Sequence, residues 1–192
     1  MVMKNHKHFL LDMAGWTLVL FVMSYSLTLS AADAELPDSL SDYRLATGDK
    51  LRIQVYGEDD LYLETRVNDQ GVISYPFLGN LKVLGLSPRQ LEELIASRLR
   101  DGYLINPRVS VDISEYRLFY VNGEVENPGG FPFQPGMTVH KAISLAGGFK
   151  ERASKDKIFI IRDGDADTKP VKTSLDGMVR PGDIITVEQS FF

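Results

Sequence analysis

The sequence predicts an α+β protein made of two small sheets, each packed with one main helix. Three observations predict it. Apolar residues alternate with polar ones over residues 51–55, 109–113 and 183–187, the period of half-buried strands. Two segments, opening at Ser87 and Thr138, have helical spacing and capping residues instead. The elements come as short strands grouped around single helices, and this grouping separates the α+β class from an alternating βαβ chain.

The strands begin at Tyr43. Leu51, Ile53 and Val55 form one face of the first, with Arg52 and Gln54 on the other. Gly57-Glu58-Asp59-Asp60 reads as a loop. Asn68-Asp69-Gln70-Gly71 reads as a turn joining residues 64–67 to 72–75 in a hairpin, and Leu81 and Val83 continue the β character. The first helix opens at Ser87, with Pro88 at its first position and Gln90 placed to close a capping box. Leu86 and Leu91 occupy the positions of a hydrophobic staple, and Leu91, Leu94, Ile95 and Leu99 mark its buried face. It ends near Asp101-Gly102, and Val109, Val111 and Ile113 form the next strand.

The second half repeats the style. Residues 118–125 and 130–133 read as strands around a Pro/Gly turn. The second helix has Thr138 as N-cap, Val139, Ala142, Ile143 and Ala146 on its apolar face, and Gly147-Gly148 as its end. Residues 157–162 form a strand, residues 163–166 a turn, and residues 183–187 a last strand. Gly48-Asp49 and Gly182-Asp183 both stand directly ahead of an alternating strand. Either two similar modules or one common strand-entry turn explains the echo. A module boundary is expected between Glu115 and Leu118, with the packing of all the strands as one unit as the alternative.

Residues 1–34 read as an export segment. Lys4 and Lys7 precede an apolar run over residues 13–29, and Ala32-Asp33-Ala34 offers an A-x-A cleavage site, with an S-x-A site just before it. A retained membrane anchor is the competing reading, but the run is near the lower limit of ~17 residues for a spanning helix. The pattern favours cleavage near Ala32 or Ala34, and residues 35–42 form a flexible lead-in. The chain of 192 residues is 44% hydrophobic and 24% charged, enough to build one compact domain or two small ones. A net charge of −5 gives no electrostatic basis for binding nucleic acid.

The catalytic vocabulary is thin. Without cysteine, and with His140 the one histidine beyond the export segment, the chain cannot build a zinc site or a Cys/His nucleophile by the usual rules. The run Asp163-Gly164-Asp165-Ala166-Asp167 starts like a Ca²⁺ loop, but Thr168 and Ser174 stand where Gly and Glu are required. Glu58, Asp59 and Asp60 read as solvated charges and not as an acid/base pair. Aromatic residues are numerous, including Tyr56, Tyr62, Phe77, Tyr103, Tyr116 and Tyr120, and most fall in strands where packing is their default. No cofactor or metal is expected. Phe191 and Phe192 are candidates for docking onto a partner.

Residues 43–115 resemble the N-terminal domain of bacterial polysaccharide export proteins. The similarity lies in the stretch from Tyr43 through Gly48, Asp49 and Ile53, in Gly71 through Pro76 to Gly79, in Gly85-Leu86-Ser87, and in Asn106-Pro107-Arg108. Residues 118–192 resemble the SLBB β-grasp domain that follows it. There the matching residues are Gly123, Pro128, Gly129, Gly136, Gly147, Gly148, Gly182 and Asp183.

The resemblance implies a non-enzymatic periplasmic transport component, and it implies that these Gly, Pro and Asp residues make the fold and do not form a site. It also implies a ring of copies of this chain carrying a capsule or exopolysaccharide polymer. The partners would be an inner-membrane polysaccharide co-polymerase and a separate outer-membrane β-barrel. Larger members carry a lipid-bearing Cys, further SLBB modules and a C-terminal membrane helix, and since the sequence shows no Cys and one SLBB match, the expectation is a component that does not build its own outer-membrane channel. A monomeric periplasmic glycan-binding module is the alternative function.

Overall fold

The computed structural model describes residues 43–164 and 169–190. The export segment, the lead-in, part of the Asp163–Asp167 run, and Phe191 and Phe192 lie outside the described residues. The first strand, β1 (Lys50–Val55), buries Leu51, Ile53 and Val55 as its alternation requires. It turns at Gly57 into β2 (Glu58–Arg66), so Glu58, Asp59 and Asp60 are exposed strand residues and not the expected loop. β1 forms the middle of a three-stranded sheet, between β2 and β5 (Val109–Glu115), with both neighbours antiparallel.

The expected hairpin between residues 64–67 and 72–75 does not form. The Asn68 turn is present, with Asn68 Oδ1 accepting the N–H groups of Gln70 and Val72 at 3.0 and 2.9 Å. It carries the chain out of the first sheet instead. β2 stays at the edge of its sheet, paired with β1 alone, and β3 (Val72–Tyr75) pairs with β4 (Gly79–Lys82) in a separate two-stranded ribbon.

Helix α1 (Pro88–Arg100) opens on the predicted capping box. Gln90 N–H donates to Ser87 Oγ at 3.1 Å, and Ser87 N–H donates to Gln90 Oε1 at 2.9 Å. Leu91, Ile95 and Leu99 are fully buried, at roughly 1.5–3 kcal/mol of transfer free energy each. The helix packs on β5, and one core collects around it, including Leu45, Ile53, Tyr75, Leu81 and Val111.

The second lobe is a five-stranded mixed sheet in the order β7-β6-β10-β8-β9. Its strands are β6 (Phe119–Gly123), β7 (Gly129–Phe131), β8 (Ala153–Ile161), β9 (Val171–Thr173) and β10 (Ile184–Gln189). β10 runs parallel to β6 and antiparallel to β8. With helix α2 (Val139–Leu145) burying Val139, Ala142 and Ile143 in the same core, this is a β-grasp-like arrangement. β9 is an addition to the expected strands: Val171–Thr173 is mostly exposed and shows no alternation in the sequence. All described residues belong to one compact unit, and the α+β class is as predicted.

The Gly-Asp echo also resolves. The turn recurs, but β1 lies between two antiparallel strands while β10 has one parallel neighbour. The two lobes share a strand-entry turn and differ in the sheet around it.

Candidate functional site

The seam between the lobes is built from the two residues that follow β5. Tyr116 sets its ring edge-on against Tyr43 of the first lobe, 5.2 Å between centroids, and against Phe133 of the second, at 5.3 Å. Such T-shaped pairs align the positive ring edge with the negative ring face. Tyr116 therefore packs against both cores.

Arg117 makes the polar half of the seam. Its backbone N–H donates to Asp49 Oδ1 at 2.9 Å, and one guanidinium nitrogen donates to the Tyr43 hydroxyl at 2.6 Å and reaches Asp49 Oδ2 at 3.4 Å. Its Nε donates to Asp163 Oδ2 at 2.8 Å. Asp49 is wholly buried and further accepts the Ala46 N–H at 2.9 Å and the Tyr43 hydroxyl at 2.6 Å. A buried carboxylate is tolerated when its lone pairs are filled in this way. Burial, followed by the bond to Asp49, pushes the Tyr43 hydroxyl far above its ordinary pKa.

Asp183 has the same relation to its own lobe. It is 1% exposed, and its Oδ2 accepts the Arg180 N–H at 2.6 Å and a guanidinium N–H of Arg162. Among the described residues no donor reaches its Oδ1 in hydrogen-bond geometry. Burial pushes this carboxyl above the usual range, against the pull of the Arg180 amide, Arg162 and the Asp163 amide. Gly182, beside it, abuts the seam: a Cβ there would run into Asp163 Oδ2 and lie 2.7 Å from Arg117 Nε.

A groove of about 900 Å³ runs along this seam, with Arg66, Glu115, Arg117, Tyr120, Gln134 and Asp163 among its lining residues. Arg66 pairs with Glu115 at 2.8 Å, and the bonds from Arg66 and then Lys50 hold the Glu115 carboxyl below its ordinary pKa. On the outer face of the first sheet, Lys50 and Arg52 also reach Glu64, at 3.6 and 3.1 Å.

A second exposed feature lies where three loops of the first lobe converge. Tyr103 donates its hydroxyl to the Phe77 carbonyl at 3.4 Å, and their rings are 5.8 Å apart. Arg108 covers the Tyr56 ring at 4.4 Å, and Ile105 is 99% exposed. Phe77 adopts φ +61°, the one non-glycine residue with positive φ among the described residues, a costly backbone state.

Of the residues singled out in the sequence, Gly48, Asp49 and Gly182 come together along the seam, and Asp183 lies beside Gly182 with its partners in the second lobe. Gly71, Pro76, Gly79, Gly85 and Pro107 lie in loops and strand starts of the first lobe, and Pro128, Gly129, Gly136, Gly147 and Gly148 in those of the second, where Gly123 ends β6. All these glycines except Gly129 have φ between 68° and 94°. His140 is exposed on α2. Glu58, Asp59 and Asp60 do not line the groove. Among the described residues, no three His, Cys, Asp or Glu side chains stand close enough together to hold a metal ion, and no helix is long and apolar enough to cross a membrane.

Sequence reasoning missed Tyr116, Arg117, Asp163 and Arg162. The available signal was position. Arg117 sits between the two modules, and Arg162 directly follows the strand that pairs with the Gly182-Asp183 strand.

Two family models match the chain in order. The model for the polysaccharide biosynthesis/export protein covers residues 37–114, and the SLBB domain model covers residues 118–171. The chain is 34% identical over 134 residues to the exopolysaccharide production protein ExoF of Rhizobium meliloti, spanning 64% of this chain and 32% of that protein. It is 32% identical over 90 residues to the polysialic acid transport protein KpsD of Escherichia coli, 46% of this chain and 16% of KpsD. It is 28% identical over 181 residues to the EPS I polysaccharide export outer membrane protein EpsA of Ralstonia nicotianae, 77% of this chain and 47% of EpsA. The matches thus span less than half the length of each relative.

Proposed function

The chain belongs to the bacterial polysaccharide export family, and from that premise we propose that it is a non-enzymatic transport component for an extracellular polysaccharide. In this reading it works in the periplasm, after cleavage near Ala32 or Ala34, and copies of it assemble into a ring. The ring helps pass polymer from an inner-membrane co-polymerase and synthesis complex to a separate outer-membrane β-barrel. The observation that carries the reading is the ordered pair of family matches, folded here into one compact unit. Relatives named for exopolysaccharide production, polysialic acid transport and polysaccharide export support the cargo class. The seam supports a structural role for the family residues, since Gly48, Asp49 and Gly182 are absorbed where the lobes meet and Asp183 is bonded within the second lobe.

The test has two parts. Deleting the gene in the source bacterium should abolish extracellular polymer, and the full chain supplied in trans should restore it. Sedimentation of the purified protein, alone and with the inner-membrane co-polymerase, should give a discrete oligomer. A strictly monomeric protein that binds no partner would replace the ring with a monomeric glycan-binding module. Unchanged polymer secretion in the deletion strain would end the transport reading.

A further inference from the structure

We propose that the groove along the seam is a binding site for neutral sugar residues of a polysaccharide chain, with Tyr120 as its stacking platform. The presence of a polymer rests on the export reading above; the site and its chemistry rest on the groove. Its volume of about 900 Å³ falls within the ~300–1,000 Å³ of small-ligand sites.

The apolar part of the site is held in place by a missing side chain. Tyr120 stands opposite Gly130 in the β6–β7 register. A Cβ on Gly130 would lie 3.0 Å from Tyr120 Cε1 and 3.1 Å from Leu118 Cδ1, so both side chains lie close over the glycine backbone. An aromatic ring laid over a cross-strand glycine is pinned on one side. Tyr120 nevertheless stays 44% exposed, leaving ring surface for the C–H face of a sugar.

The polar part is neutral among the described residues. Their charged side chains lining the groove are two cations, Arg66 and Arg117, and two carboxylates, Glu115 and Asp163. They are already paired, Arg66 with Glu115 and Arg117 with Asp163, each at 2.8 Å. A polyanion finds no surplus cation among these residues. Sugar hydroxyls find carboxylate lone pairs and the Gln134 amide, and the ion pairs hold Glu115 and Asp163 beside their arginines, which lowers the ordering cost of binding. One aromatic face beside planar hydrogen-bonding groups of zero net charge fits an uncharged, hydroxylated ring.

Amide-resolved NMR on the full chain tests this, with cellohexaose, maltohexaose and mannohexaose as neutral probes and hexagalacturonate as the acidic one. At least one neutral probe should shift the amides of residues 118–120 and of Phe131, Phe133 and Gln134 saturably, and more tightly than hexagalacturonate. Tyr120→Ala should weaken that binding ~5-fold or more, Tyr120→Phe should retain it, and Tyr56→Ala should leave it unchanged. No shift in the groove with any neutral probe overturns the site, as does tighter binding of hexagalacturonate or indifference to Tyr120→Ala in a folded variant. Protection of the groove by a partner protein or a second copy, without sugar binding, also overturns it. The two proposals fail separately. A chain that restores secretion but shows no groove shifts loses only this site, and groove binding by a chain that secretion does not need loses only the export reading.

Discussion

Asp49 and Asp183 occupy equivalent places in the two lobes, yet only Asp49 has both carboxylate oxygens filled. Each follows a glycine of positive φ, precedes a strand, and accepts the N–H of the residue three positions before it. Each also meets an arginine that directly follows or nearly follows the antiparallel neighbour strand, Arg117 after β5 and Arg162 after β8. Asp49 Oδ1 takes the Arg117 backbone N–H at 2.9 Å, whereas no donor among the described residues reaches Asp183 Oδ1 in hydrogen-bond geometry. The difference makes one aspartate a clasp between lobes and leaves the other under-satisfied within its lobe.

Asp183 should therefore mark the pH dependence of stability. Its folded pKa is raised above the ordinary carboxylate value. Its contribution is thus fully present below the unfolded pKa, near 3.9, and is lost as pH rises through the folded value. The difference in melting temperature between the parent and Asp183→Asn should move in the parent's favour as pH is lowered from 7 towards 4. Glu64 and Glu115 have lowered values and act in the opposite sense, but they are common to both proteins. A pH-independent difference would contradict the assignment.

Removing the Arg117 side chain should be costly. Arg117→Met leaves Asp49 buried with its guanidinium partner gone, a change worth about 3 kcal/mol. Asp163→Asn, on the half-exposed side of the same arginine, should cost less than about 1 kcal/mol. Urea unfolding of the two variants checks the ordering, and equal losses would place the weight of the seam elsewhere.

Tyr116 is expected to couple the lobes. Tyr116→Ala deletes two edge-to-face pairs, together about 2 kcal/mol, and removes packing from both cores. Native-state hydrogen exchange should quicken on both sides of the seam, including the Leu45 and Phe119 amides. Faster exchange confined to one lobe would show that Tyr116 belongs to that core alone.

Gly123 and Gly182 should both reject alanine, with Gly123 the more severe. A Cβ at Gly123 would run into the Val187 carbonyl oxygen, which is backbone in β10 and cannot rotate away. At Gly182 the obstacles are the side chains of Asp163 and Arg117. Both residues have positive φ, which adds roughly 1–2 kcal/mol of strain for an L side chain. Thermal melts should place Gly182→Ala between the parent and Gly123→Ala.

Local signals were legible because they act within a few residues. The Ser87–Gln90 box spans three positions, the strand periods span two, and the Gly-Asp turns bond across three. The α+β class and the family motifs follow from such patterns. Strand partnership was not legible. The Asn68 turn has hairpin chemistry, but the strand after it pairs with β4 and leaves β2 at the sheet edge, and which of two partners a strand takes depends on the whole fold. The seam was also hidden in the sequence. Arg117 meets Asp49, Tyr43 and Asp163 across 68, 74 and 46 residues, separations at which no periodicity survives. What the sequence by itself determined was two family domains in order, each with its helix and its strand-entry turn. Only the tertiary structure decided that Tyr116 and Arg117 join them, because side chains so far apart in the chain meet only after both cores have formed.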